Sequence, residues 1–130
     1  MKGKVLSDDE AEALLEDPSL TEDQARSIDP GPGADIRCWM ALDPEQELRV
    51  MPGWELSVPG LRISRNGSAA TRARELLRQS QCYHRMESVD RGWQITATYP
   101  HQSVEVVAPT EQLATARLVL VLESRGLLDV

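Results

Sequence analysis

Phenylalanine is absent from this chain, and cysteine, lysine and long apolar runs are scarce. The 130 residues include no Phe, three Trp and two Tyr, so the core has to be built from aliphatic side chains. Two cysteines are too few for a disulfide framework. The longest apolar run, residues 118–122, is far shorter than the ~18 residues that a membrane helix needs, and no apolar leader follows Met1. These absences predict a cytoplasmic protein with reduced thiols and no membrane partner.

Motifs of established chemistry are missing as well. The sequence has no P-loop, no dinucleotide-binding glycine pattern and no G-x-S-x-G element. The spacing of Cys38, Cys82, His84 and His101 does not resemble a zinc knuckle. We therefore predict no catalytic residues, no metal and no cofactor. A small hydrolase or thiol enzyme that uses Cys82 and His84 is the third-ranked interpretation.

What the chain does have is an uneven charge distribution. The net charge is −7, and residues 1–60 carry 14 acidic and 5 basic side chains. Residues 61–92 reverse this balance, with seven arginines and three acids. Such asymmetry indicates either an anionic partner or internal compensation between the two segments.

The candidate binding residues follow from this division. A helix is predicted directly after Asn66-Gly67-Ser68, and free N–H groups at a helix N-terminus favour an anion. The candidates for partner or anion binding are Arg62, Arg65, Arg72, Arg74, Arg78 and Trp39. Trp39 is an interface anchor if its strand face is exposed, but a place in the core is slightly favoured. The candidates in the acidic arm, which resembles nucleic acid in its charge, are Asp8, Asp9, Glu12 and Glu16.

Turn and cap signals divide the chain into two parts. Ser7 and Thr21 each precede acidic residues and predict two short helices. Two prolines and two glycines within residues 29–35 then predict a linker. We expect an acidic helical arm and Pro/Gly linker over residues 1–33, and a single α+β domain over residues 34–130.

Apolar periodicity predicts the elements of that domain. Residues 36–41 alternate as in a strand, and two Pro-Gly turns (residues 51–54 and 58–61) continue an antiparallel meander as far as Ile63. A helix follows from Ser68 to about residue 81. Strands are then predicted at residues 82–89, 93–99 and 103–108. The last helix starts at Pro109-Thr110, ends before Gly126 and is apolar almost all round, so it is the core of one subunit or a homodimer interface.

The predicted fold class is therefore α+β. An antiparallel β meander packs with two main helices in the order β-β-β-(β)-α-β-β-β-α, after the acidic arm. The α-β-β-β-α part resembles the double-stranded RNA-binding domain in element order. It lacks that family's lysine-rich second helix and its Gly-Pro-x-His loop, and element order alone implies no function.

The favoured function is a non-catalytic protein-binding module, such as a small acidic regulator, inhibitor, immunity-type protein or adaptor. Surface charge and an apolar interface would mediate its contact with another protein. The alternative is an anion or nucleic-acid binder that uses the arginines of residues 62–78, and nucleic acid is the less favoured partner.

Overall fold

The computed structural model describes residues 20–42, 50–51, 55–56, 62–79 and 83–128. The helices of this part are α1 (Glu22–Ser27), α2 (Pro32–Leu42), α3 (Gly67–Gln79) and α4 (Glu111–Ser124). The strands are β1 (Val50–Met51), β2 (Glu55–Leu56), β3 (Tyr83–Val89), β4 (Gly92–Thr98) and β5 (Ser103–Ala108). Helices packed on an antiparallel sheet confirm the α+β class and the α-β-β-β-α order after residue 66.

Helix α4 is the centre of the structure. It packs against α1, α2 and α3, and against strands β4 and β5. Leu118, Val119, Val121 and Leu122 are fully buried although they lie on different sides of the helix. An apolar helix surrounded by other elements buries its whole circumference. The helix is thus the core of a single chain, which is one of the two predicted placements.

Strands β3, β4 and β5 form an antiparallel meander in that order. In β5, Val104, Val106 and Ala108 are buried while Glu105 and Val107 are exposed. One face of the sheet therefore packs on the helices and the other bears polar and exposed side chains. The strands predicted at residues 93–99 and 103–108 are confirmed, as Gly92–Thr98 and Ser103–Ala108.

Local caps define the helix ends. The hydroxyl of Thr21 accepts from the Gln24 N–H while the Gln24 side chain accepts from the Thr21 N–H, which completes a capping box. Thr110 caps α4 by accepting from the Leu113 N–H. Gly126 has a φ of +68° and ends α4 with the two backbone bonds of a Schellman motif. The caps at Thr21 and Gly126 match the sequence prediction, and the cap at Thr110 agrees with the predicted start of the last helix at Pro109-Thr110.

The strand predicted at residues 36–41 is wrong, because those residues belong to α2. Pro32 occupies the first position of the helix, where its fixed φ and missing N–H are tolerated. Ile36 and Trp39, three residues apart, are both buried, and so is Cys38. A short apolar run that is buried on several sides does not show from its periodicity alone whether it is a helix or a strand. The predicted boundary at residue 33 falls inside this helix.

Two further predictions are corrected between residues 62 and 70. The sequence predicts a strand at Ile63, but Ile63 lies in a turn that is closed by bonds from the Arg65 and Asn66 N–H groups to the Arg62 carbonyl. Helix α3 is capped by Asn66, whose side-chain oxygen accepts from the Ala69 N–H at 3.0 Å. Ser68 lies inside the helix, so the cap is two residues earlier than predicted.

Some predictions lie outside the described residues, among them the first arm helix and both Pro-Gly turns. In the part of the chain that is described, no helix has the length and apolarity to cross a membrane.

Candidate functional site

Helix α3 carries three of the five candidate arginines, and the turn before it carries the other two. The buried face of α3 consists of Ala69, Ala70, Ala73 and Leu77. Arg72 and Arg78 lie on its exposed side and Arg74 is half-buried. The helix thus presents a positive surface in a protein of negative net charge.

Arg65 is engaged by a buried carboxylate. Asp35 of α2 is completely buried and accepts from the Ser64 N–H at 2.8 Å, from the Ser64 hydroxyl at 2.6 Å and from Arg65 Nη2 at 2.8 Å. The Ser64 hydroxyl also accepts from the Gly31 N–H at 3.1 Å. A buried charge is tolerated only with such partners. This network holds the 62–66 turn against the beginning of α2. Arg65 therefore has a structural role in the fold.

Trp39 is fully buried, which is the placement slightly favoured from the sequence, so it offers no surface to a partner. The Arg72 guanidinium lies over its ring at 5.4 Å from the centroid, within cation–π range. The tryptophan therefore helps to orient Arg72, although Arg72 itself is exposed.

Arg74 connects α3 to α4. Its Nη1 donates to the Thr115 hydroxyl at 3.0 Å, and its Nη2 donates to the Thr71 hydroxyl at 3.2 Å. Thr115 is buried and also donates to the Glu111 carbonyl, one turn earlier in α4. The guanidinium is thus fixed beside the first turn of α4 by two hydroxyl groups.

The first turns of α3 and α4 meet at a cleft of about 620 Å³. A Cβ added at Gly67 would lie 3.4 Å from the Gln112 side-chain nitrogen, which shows how closely the two turns approach. Two arginines and two carboxylates line the cleft together with amide and hydroxyl groups. Its lining consists of Gly67, Ser68, Ala70, Thr71, Arg72, Arg74, Glu75, Glu111 and Gln112. We call this the α3–α4 cleft.

Comparisons with protein-family models, curated proteins and solved structures found no match to this chain.

The residues considered for thiol or metal chemistry do not form one site in the described structure. Cys38 is fully buried, its Sγ donates to the Ala116 carbonyl at 3.4 Å, and burial raises its pKa well above the usual range. His84 lies with Arg85 at a separate depression of about 320 Å³ on the sheet, while His101 is exposed. Cys82 is outside the described residues. Within the described ranges, no group of three His, Cys, Asp or Glu residues could hold a metal ion.

The sequence identified the arginines, but it did not place Glu111 and Gln112 beside them. Glu111 and Gln112 belong to a helix far along the chain, and only the packing of α4 on α3 brings them to the arginines. The Thr110 cap does predict that Glu111 lies at a helix N-terminus, where the helix dipole favours a carboxylate. The four arm candidates lie outside the described residues, and Arg62 is half-buried in the turn before α3.

Proposed function

We propose that this protein is a non-catalytic protein-binding module that recognises an acidic but mixed-charge segment of a partner protein at the α3–α4 cleft. The observation that carries this proposal is the lining of the cleft by Arg72, Arg74, Glu75 and Glu111, beside the adjoining N-terminal turns of α3 and α4. No step of bond making or breaking is part of the proposal.

The arginines and the two helix ends favour negative charge in the ligand. Arg72 and Arg74 are held in place by the Trp39 ring and by the Thr71 and Thr115 hydroxyls. Guanidinium groups that are already oriented lose less side-chain entropy when they bind a carboxylate. The N-terminal turns of α3 and α4 add positive potential from their helix dipoles.

Glu75 and Glu111 favour a polypeptide over a nucleic acid. A phosphate backbone presents a continuous row of negative charges, which these two carboxylates would repel. A peptide offers N–H groups and basic side chains next to its acids, so it can satisfy both signs of charge in the cleft. Charge complementarity thus favours protein over nucleic acid as the partner.

Binding of defined probes tests this proposal. The probes are a fluorescent peptide of alternating acidic and basic residues with a net negative charge, and a single-stranded oligonucleotide of the same net charge. Fluorescence anisotropy at about 0.15 M salt, where non-specific polyanion binding is weak, should show binding of the peptide only. Arg72→Glu should weaken that binding by about tenfold, equivalent to ~1.4 kcal/mol.

The matched control is Arg91→Glu, which makes the same charge change at an exposed turn residue outside the cleft. An equal loss in both variants would indicate a non-specific charge effect and contradict the cleft as the site. Tight binding of the oligonucleotide, lost in Arg72→Glu and Arg78→Glu, would instead favour the nucleic-acid alternative.

A further inference from the structure

Residues 1–19 have the same mixture of charges as the ligand proposed for the α3–α4 cleft. Six carboxylates and two ammonium groups give this stretch a net charge of −4. The lysines precede the acids, and they are the only lysines in the chain. We call residues 1–19, which precede the described part of the chain, the acidic segment. Its charged residues are Lys2, Lys4, Asp8, Asp9, Glu10, Glu12, Glu16 and Asp17.

Helix α3 has no acidic residue in its first turn, whereas each of the other three helices has at least one. Carboxylates at this position stabilise a helix through its dipole. Within the described residues, no carboxylate forms an ion pair with Arg72, Arg74 or Arg78. The positive surface of α3 therefore favours acids that come from elsewhere in the chain or from another molecule.

The acidic segment joins the body near the C-terminal end of α4, and the cleft lies near the N-terminal end. Glu22 of α1 accepts from Arg125, which follows α4. Arg74, in the cleft, donates to Thr115 near the start of α4. The helix rise between Thr115 and Arg125 is ~15 Å, and extended chain from Glu12 to Glu22 spans up to ~33 Å. Glu12 and the acids before it can therefore reach the cleft while α1 keeps its place.

The covalent connection makes even a weak contact effective. A segment joined to its site through a short stretch of chain has an effective concentration in the millimolar range. A contact within the chain whose dissociation constant is about 1 mM is therefore populated for about half of the time or more. A separate partner molecule has to compete with this local concentration.

We propose that the acidic segment binds the α3–α4 cleft of its own chain and competes there with the partner protein. The acids of the segment face Arg72 and Arg74, and its lysines face Glu75 and Glu111. Both signs of charge in the cleft thus have a counterpart in the segment. This inference rests on the proposed function, because the segment regulates the same site, and a partner binds only after it displaces the segment.

Neutralising the acidic segment in the full chain tests the competition. The probe is the fluorescent mixed-charge peptide, and its binding is measured by anisotropy at about 0.15 M salt. We expect the neutralised variant to bind the probe about threefold to fivefold more tightly, because a larger fraction of the clefts is free. Arg72→Glu should also cost more affinity in this background, since Arg72 then holds only the probe. The neutralised variant carries Asp8→Asn, Asp9→Asn, Glu12→Gln and Glu16→Gln.

The matched control removes four exposed acids that lie outside both the cleft and the acidic segment, so the net charge changes equally. Its affinity for the probe should change by less than about twofold, because salt screens charges that are more than ~8 Å away. An equal gain in both variants would indicate an effect of net charge and would contradict the competition. The control carries Asp29→Asn, Asp90→Asn, Glu105→Gln and Glu123→Gln.

Carbodiimide cross-linking tests the contact itself without a partner. The reagent joins a lysine amine to a carboxylate that touches it, and both lysines of the chain belong to the acidic segment. Mass spectrometry of the monomer should find Lys2 or Lys4 joined to Glu75 or Glu111. The neutralised variant retains all four of these residues, so loss of the link in that variant would come from lost binding.

The outcomes separate this inference from the proposed function. If the link is absent and neutralisation leaves the affinity unchanged, the inference is overturned, and the proposed function stands as long as Arg72→Glu weakens probe binding. If the link forms but neither the unmodified protein nor the neutralised variant binds the probe, the proposed function is overturned and the competition with it. A link found only in cross-linked dimers would overturn binding within one chain.

Discussion

Gly92 shows how one missing side chain permits the β4–β5 pairing. It has a φ of +147°, and a Cβ added there would lie 2.3 Å from the Ala108 carbonyl oxygen. Gly126 also has a positive φ, of +68°, but an added Cβ meets nothing within 4 Å. Alanine substitutions at these two positions therefore distinguish the cost of backbone strain, which both share, from the cost of steric overlap, which arises only at Gly92.

We expect Gly92→Ala to lower the free energy of unfolding by about 3 kcal/mol or more, because strain and a backbone clash add. Gly126→Ala is the control with strain alone, and it should cost about 1 kcal/mol. Urea denaturation with a common slope measures both values. Equal costs for the two variants would contradict the clash at Ala108.

Asp35 is the residue on which the 62–66 turn depends. Replacement by Ala leaves Arg65 and the Ser64 donors facing a buried position without their carboxylate. We expect Asp35→Ala to lower the free energy of unfolding by about 3–5 kcal/mol, the usual cost of breaking a buried ion pair. Thermal and urea denaturation measure it.

The control for Asp35 is Asp29→Ala, since Asp29 is exposed and a few residues away. It should change stability by no more than about 0.5 kcal/mol. An Asp35→Ala protein as stable as this control would show that the network contributes little.

At the scale of elements, α1 is attached to the body by polar contacts in addition to buried Ala25. Glu22 accepts hydrogen bonds from Arg125 and Arg26, and the Arg117 Nε donates to the Ile28 carbonyl at 3.0 Å. The bond from Arg125 is the larger cause, and together the two arginines lower the pKa of Glu22 from 4.5 to about 2.

A carboxyl group whose pKa is lower in the folded than in the unfolded state stabilises the protein at pH values above the unfolded-state pKa. This stabilisation is lost on acidification. The contribution of Glu22 should thus be full above about pH 5 and disappear as the pH falls from 4.5 towards about 2. Glu22→Gln should be less stable than the unmodified protein at pH 7, and the difference should shrink over that range. Because Glu22 is partly exposed, added salt should reduce the difference as well. A difference that is constant with pH would contradict this assignment.

The elements differ in how well sequence predicts them. Caps made by Thr21, Thr110 and Gly126 are local, so side chains within a few residues determine them. The sequence does not predict the helix at residues 32–42. Contacts with distant elements bury this helix on several sides, so its apolar residues show no clear helical period. The sequence predicts a linker at Asp35 for the same reason, since its partners Ser64 and Arg65 lie about 30 residues away.

The candidate site was predictable only in part. Arginine content identified the α3 surface, but it could not separate Arg65, held by Asp35, from Arg72, which is exposed. The glutamates of the cleft come together only through the packing of α4 on α3. Sequence reasoning therefore found the positive charges but did not place Glu111, one of the two acids that favour a polypeptide partner, beside them.

At the scale of the whole molecule, Arg117 joins three parts of the fold. It donates to the Ile28 carbonyl after α1 and to the Val107 carbonyl on the β5 edge, and burial lowers its pKa. Because Arg117 donates to both carbonyls from a half-buried position, we expect its loss to affect both the free energy of unfolding and the tendency to aggregate.

We expect Arg117→Leu to lower the free energy of unfolding by about 1.5–3 kcal/mol, the usual range for hydrogen bonds to a charged group. The uncovered β5 edge should also promote slow aggregation. Urea denaturation and light scattering over time measure the two effects. Arg91→Leu, at an exposed turn, should show neither, and aggregation of both variants alike would point to lost surface charge instead.

The central position of α4 has a consequence for synthesis on the ribosome. The elements that pack on it, from α1 to β5, are translated before it, so their apolar faces emerge without the surface they will cover. Final packing therefore waits until about the last turn of α4 has left the exit tunnel, and the nascent chain exposes aliphatic surface up to that moment. Chaperone binding during translation should accordingly be strongest just before residue 124 emerges.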